Sequence, residues 1–205
     1  WTGRTNLAPR GKTVHGADVI PFQPGLVRKT YDRVIRRLSG NPDTDRNYYF
    51  FNYSERTSYY PTRQLLKQIP FIPDVIIAGW ISRFLNTRNL YELNQMTGAP
   101  VFWHAMDMAP LTGGCHYTHD CERYANNCGT CPALYSHRQD DLSARNFRFK
   151  HCYLAKTDIE LITASTGFRR HADKSRLFAD KKKIDILSSV DPEVFRRIEK
   201  STARK

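Results

Sequence analysis

The chain has 205 residues, 40% hydrophobic and 12% aromatic, with 11 Gly and 11 Pro. That length holds one well-packed domain, and the composition excludes a wholly disordered chain and a collagen-like repeat. A balance of 32 Lys and Arg against 20 Asp and Glu leaves +12, a field that suits nucleic acid, phosphorylated metabolites or anionic membrane surfaces, or that belongs to a plain solvated face.

No run approaches the roughly 20 apolar residues that span a bilayer. The opening Trp1-Thr2-Gly3-Arg4 has neither Met nor an apolar signal segment, so the sequence reads as a fragment with no secretory address and an expected cytoplasmic location. Residues 1–25 are rich in Gly, Pro and polar groups and read as irregular, with one short strand near Val19-Ile20. From 26 to 38 the residues Val27, Tyr31, Val34, Ile35 and Leu38 recur at helical spacing before Gly40 and Pro42, which predicts a helix and its stop. Residues 48–53 read as extended, and Pro61 opens a short predicted helix over 61–69.

The segment 74–79 is a continuous apolar run after a proline, the pattern of a buried parallel strand. Asn86 then caps a predicted helix carrying Leu90, Leu93 and Met96, which Gly98 ends. Residues 100–103 form a second strand, followed by a long Cys- and Gly-containing loop over 107–137. Asp140 or Asp141 caps a helix running through Lys156. A third strand covers 159–164, a helix 167–178, and a fourth strand 184–187. Strands alternating with helices of 10 to 15 residues predict an α/β fold, a Rossmann-like parallel sheet with helices on both faces and a Cys-rich loop insertion. The domain spans 26–190, and 191–205 reads as a linker or tail. Ligands of such sheets bind at the carboxyl ends of strands, so the chemistry is expected after Trp103 and after Ala164.

The most specific stretch runs Val101-Phe102-Trp103-His104-Ala105-Met106-Asp107, then Thr112-Gly113-Gly114-Cys115-His116-Tyr117, then Cys121 and Cys128-Gly129-Thr130-Cys131-Pro132. A strand delivers His104 and Asp107 to its carboxyl end, and the Gly-Gly pair lets backbone N–H groups approach a ligand. The cysteines Cys115, Cys121, Cys128 and Cys131 are separated by five, six and two residues. The Cys-x2-Cys pair has the half-site spacing of a structural zinc knot, with His116 and His119 as spare ligands. Reduced structural thiols and disulfides are the alternatives, the latter disfavoured in a reducing cytosol. Cys152 reads as a small buried apolar residue within a helix.

This stretch resembles the bacterial family-4 retaining glycosyltransferases of the two-Rossmann (GT-B) fold, whose members carry a strand ending in His-Asp-Met-Trp-Pro-Phe-Thr-Gly, a Cys-His-Tyr turn, further cysteines and a Cys-Pro. Asp74-Val75-Ile76, Ile162-Thr163-Ala164-Ser165 and Ser175-Arg176-Leu177-Phe178 are similar to further strands and a helix end of that family, so the resemblance covers about 70–195. Aligned on Asp107, the family's histidine position holds Met106, with His104 two residues earlier. Leu187-Ser188-Ser189-Val190-Asp191 stands where the family has its Pro-Asn-Gly linker.

The resemblance implies an acceptor-side domain of an enzyme that moves a sugar from a nucleotide-sugar donor to a hydroxyl of a saccharide or lipid-linked acceptor, with the donor nucleotide held mostly by a second domain. It implies no cofactor for the chemistry, and it suits the basic faces to a leaving diphosphate or to peripheral contact with a membrane. The candidate catalytic residues are Asp107 and His104, and the candidate substrate contacts are Thr112, Gly113, Gly114 and Ser165. Asp107 is a turn cap on the plainer reading, and Ser165 a helix cap. A zinc-stabilised nucleic-acid-binding module is the alternative function, which the four buried strands disfavour.

Overall fold

The computed structural model describes residues 44–50, 55–56, 60–82, 84–187 and 189–204, together with 13, 14, 17, 18, 30, 33 and 34. A small antiparallel hairpin pairs β1 (Thr13–Val14) with β2 (Ala17–Asp18). Further along, β3 (Ile76–Ala78), β4 (Val101–Ala105), β5 (Ile159–Thr163) and β6 (Lys183–Asp185) form a parallel sheet in that order. The protein is α/β and Rossmann-like, as its alternating pattern requires. The central strands β4 and β5 are five residues each, and the register sets Val101 between Ile76 and Ile159, and Trp103 between Ala78 and Leu161.

The helices whose bounds fall within the described residues are α1 (Thr62–Leu66), α2 (Thr87–Thr97), α3 (Leu142–Leu154), α4 (Thr166–Lys174) and α5 (Lys200–Ala203). Each of α2, α3 and α4 connects one strand to the next. These three helices lie over one face rather than both faces as expected, because the strands advance across the sheet in chain order and successive right-handed crossovers in one direction stay on one side. There Leu90, Phe147, Leu154, Ala172 and Phe178 pack against Val101, Trp103, Ala105 and Leu161 in one core. The expected helix over 26–38, apart from helical residues 30, 33 and 34, and the expected strand near 19–20 lie outside the described residues.

Helix boundaries follow capping chemistry. Asn86 accepts from the Asn89 N–H while the Asn89 side chain accepts from the Asn86 N–H, and Gly98 closes α2 in a left-handed conformation. Asp141, rather than Asp140, caps α3 by accepting from the Ala144 N–H. The helix expected through 178 stops at Lys174 because the Ser175 hydroxyl turns to the Leu111 carbonyl, 2.9 Å away. Of 48–53, Tyr48 ends a 3-10 turn and Phe50 makes an isolated antiparallel bridge to Cys115; 51–53 lie outside the described residues. Cys152 is exposed on α3, not buried, because it lies on the helix flank away from Phe147 and Leu154. Among the described residues no helix is long and apolar enough to cross a membrane.

A buried polar group joins these helices to the loop after β4. The Lys150 ammonium of α3 is buried; it donates to the carbonyls of Ala109 at 2.7 Å and Thr112 at 3.0 Å, and lies 3.9 Å from the Glu55 carboxylate. Glu55 in turn accepts from the Thr87 N–H at 3.0 Å, at the start of α2. No sequence pattern announces this lysine, since it sits at a core-facing helical position where an apolar residue is the usual expectation.

Candidate functional site

The site forms where the sheet's geometry says it should, over the carboxyl ends of β3 and β4. Burial alternates along β4: Val101, Trp103 and Ala105 face the core, while Phe102 and His104 face the other side. The chain leaves β4 through Met106, which is exposed, and Asp107. A small cleft there is walled by Trp80, Ser82, His104, Met106, Asp107 and His116.

Asp107 does two things at once. One carboxylate oxygen accepts from the Ala109 N–H at 2.8 Å, which caps the turn. The other lies 2.7 Å from His116 Nδ1, and the two side chains are only 9% and 2% exposed. A carboxylate can only accept, so Nδ1 carries the shared proton. His116 Nε2 then faces the Ser82 hydroxyl at 3.4 Å, and the Trp80 ring lies over the imidazole with centroids 4.6 Å apart. The His116 backbone is fixed too, its N–H shared between the Tyr48 and Tyr49 carbonyls and its carbonyl accepting from Met108. The result is an oriented Asp107–His116–Ser82 array beside an exposed indole.

Asp107 follows the strand end, as the sequence leads one to expect, but instead of lying on an open rim its carboxylate is mostly buried by its two hydrogen bonds. His116, expected only as a spare metal ligand, is the side chain that Asp107 holds. Nothing local signals the pair, because the loop must leave β4 and return before the imidazole meets the carboxylate. His104 lines the same cleft.

The remaining candidates lie elsewhere. Thr112, Gly113 and Gly114 are buried beneath α3 rather than at the cleft mouth. The Gly113 N–H donates to Cys128 Sγ at 3.3 Å, its carbonyl accepts from Asn146 at 3.0 Å, and the Gly114 N–H donates to the Thr112 hydroxyl. A Cβ on Gly113 would stand 2.1 Å from the Ser143 carbonyl oxygen, so this glycine serves helix–loop packing. Ser165 accepts from the Phe168 N–H at 3.1 Å as the cap of α4.

All four loop cysteines, Cys115, Cys121, Cys128 and Cys131, line one cavity of about 20 Å³. Among the described residues, however, no group of three or more His, Cys, Asp or Glu side chains is set to hold a metal ion. The spare histidines are engaged elsewhere, His116 with Asp107 and His119 with the Asn47 carbonyl at 3.1 Å. The Cys115 and Cys131 thiols instead hydrogen-bond to each other, which lowers the pKa of Cys131 and raises that of Cys115. Burial pushes Cys128 up to about 12. The loop is pinned to α4 by the buried Tyr124 hydroxyl, 2.7 Å from His171 Nδ1. A wider, open depression of about 580 Å³ lies on the outside of this loop, beside Tyr48, Asp120 and Arg123. It shares no residue with the strand-end cleft and has no buried polar group converging on it, so the cleft is the better candidate.

No family model, curated protein or solved structure matches the chain. What it does is therefore read from the chemistry of its own residues. A ring nitrogen held in one orientation, a hydroxyl beside it and an exposed indole face suit a polyhydroxylated ligand, whose hydroxyls need directed partners and whose ring presents C–H edges to an aromatic surface.

Proposed function

We propose that the chain is the acceptor-side domain of a retaining glycosyltransferase, one that moves a sugar from a nucleotide-sugar to a hydroxyl of a saccharide or lipid-linked acceptor. The observation that carries this reading is the Asp107–His116 pair beside Trp80 at the carboxyl edge of the sheet. The resemblance of the motifs over about 70–195 to that family agrees with it. In this reading Asp107 positions the imidazole, His116 Nε2 accepts from an acceptor hydroxyl, Ser82 offers a second contact and Trp80 takes the sugar's apolar face. Met106 stands at the mouth of the cleft, where the resembled family places an imidazole, so His116 supplies that function from the neighbouring loop. Lysines and arginines around the sheet favour an anionic leaving group or a charged acceptor.

Titrating the chain with cell-surface-type oligosaccharides and lipid-linked disaccharides, read by Trp fluorescence, tests the proposal. At least one class should perturb the emission, and Trp80→Ala and His116→Ala should each abolish the response. The 205-residue chain alone is expected not to turn over a nucleotide-sugar, because the resemblance covers one side of a two-domain cleft. Binding to polynucleotide with affinity falling steeply between low and moderate salt, and no saccharide response, would establish the nucleic-acid reading instead.

A further inference from the structure

The four loop cysteines converge without forming a metal-holding group, and what they do form is a pair. Cys115 and Cys131 come from the two ends of the loop that separates β4 from α3. Cys115 is fixed by its backbone bridge to Phe50 and by its carbonyl, which accepts from the Thr112 hydroxyl at 2.7 Å. Cys131 is fixed by its N–H, which donates to the buried Asp141 carboxylate at 2.9 Å. Both side chains pack in the same small cluster with Phe50 and Ala133, whereas Cys128 packs against the main core. Two backbone anchors therefore hold the two side chains in one cluster on one cavity, although 15 residues separate them.

The surroundings select the kind of reagent that reaches them. Cys131 is 5% exposed, and the cavity of about 20 Å³ admits a molecule little larger than water, which needs roughly 10–15 Å³. A bulky disulfide such as oxidised glutathione does not fit; a peroxide does.

We propose that Cys115 and Cys131 are a redox pair, which hydrogen peroxide oxidises to one intramolecular disulfide that closes the loop between β4 and α3. In the first step the Cys131 sulfur attacks a peroxide oxygen and the O–O bond breaks. Water leaves with the thiol proton, and Cys131 becomes a sulfenic acid. In the second step the Cys115 sulfur attacks the Cys131 sulfur, the S–O bond breaks, and a second water leaves with the Cys115 proton. Two thiols and one peroxide give one disulfide and two waters. Since His116 follows Cys115 directly, the cross-link also fixes the loop that carries the imidazole of the cleft.

The test is stoichiometric peroxide added to the reduced 205-residue chain, followed by intact mass, disulfide mapping and thermal unfolding. The expected result is a loss of two hydrogens, a single cross-linked peptide joining 115 to 131, and an unfolding temperature raised by about 5 °C or more. Cys115→Ser and Cys131→Ser should each eliminate the cross-link, whereas Cys121→Ser, Cys128→Ser and Cys152→Ser should retain it. If a pair variant fails to fold, the peptide map of the wild-type chain decides alone. A map joining 121 to 128 or 128 to 131, oxidation to sulfinic acid without a cross-link, or thiols that resist peroxide because one co-purified metal ion binds them would each overturn the proposal.

Discussion

Replacing Lys150 by Met keeps most of the aliphatic stem and removes the ammonium, which isolates the energetic role of one buried charge. In the folded protein the Lys150 side chain is 1% exposed, its nitrogen donates to Ala109 and Thr112 carbonyls, and it stands 3.9 Å from Glu55. The substitution leaves two carbonyls and a buried carboxylate without that partner. Breaking a buried charge pair by removing one member costs about 3–5 kcal/mol, a large share of the roughly 5–15 kcal/mol that holds a domain folded. At a slope of about 2 kcal/mol per molar urea, the unfolding midpoint should fall by about 2 M. Adding Glu55→Gln removes the stranded carboxylate charge, so the double variant should recover at least about 1 kcal/mol relative to additivity. Urea denaturation of the four members of this cycle measures both quantities. A Lys150→Met variant within about 0.5 kcal/mol of wild type, or a strictly additive cycle, would falsify the assignment of Lys150 as the tie between α3 and the turn after Asp107.

The other predictions concern the cleft and the cap of α3. Under the transferase reading, Asp107→Asn placed in the full-length enzyme should lower transfer by about 10- to 100-fold, about 1.4 to 2.7 kcal/mol of transition-state stabilisation, with a smaller loss for His104→Ala. Because Asp107 also accepts two hydrogen bonds, the same change should cost roughly 1–2 kcal/mol of folding stability by denaturant titration; unchanged stability would return Asp107 to an open rim. Asp141→Ala should cost about 2 kcal/mol, through the lost cap of α3 and the unpaired Cys131 N–H and Ser143 hydroxyl. Burial alone would raise the Asp141 pKa, but the hydrogen bonds from Ser143, Cys131 and Ala144 together outweigh it and hold the carboxyl below its ordinary value. A depressed folded pKa means stability that is present above the unfolded value, near pH 4, and lost as pH falls through the folded one. The acid limb of the stability–pH curve should therefore be shallower in Asp141→Asn than in wild type.

The amino-acid pattern by itself determined the sheet, its order of elements and most helix ends. Short, largely apolar segments at 76–78, 101–105 and 159–163 read as strands among helices; the central two are buried, whereas the edge strand at 76–78 exposes Ile77 instead of being buried, because among the described residues no strand covers its outer side. Asn86, Gly98 and Asp141 fix helix termini through hydrogen bonds to backbone groups within a few residues, so their meaning is local. Asp107 was legible for the same reason, as the first carboxylate beyond a central strand. What only the tertiary structure decided depends on chain that leaves and comes back. The Asp107–His116 contact, the Lys150 tie to Ala109 and Thr112, and the packing of Cys115 with Cys131 in one cluster apart from Cys128 each join a strand end or loop to a distant helix or loop return. Spacing along the sequence says which residues are available for such contacts. Which of them meet is set by the loop's path over the sheet, by where α3 docks, and by the cost of leaving any buried polar group unpaired.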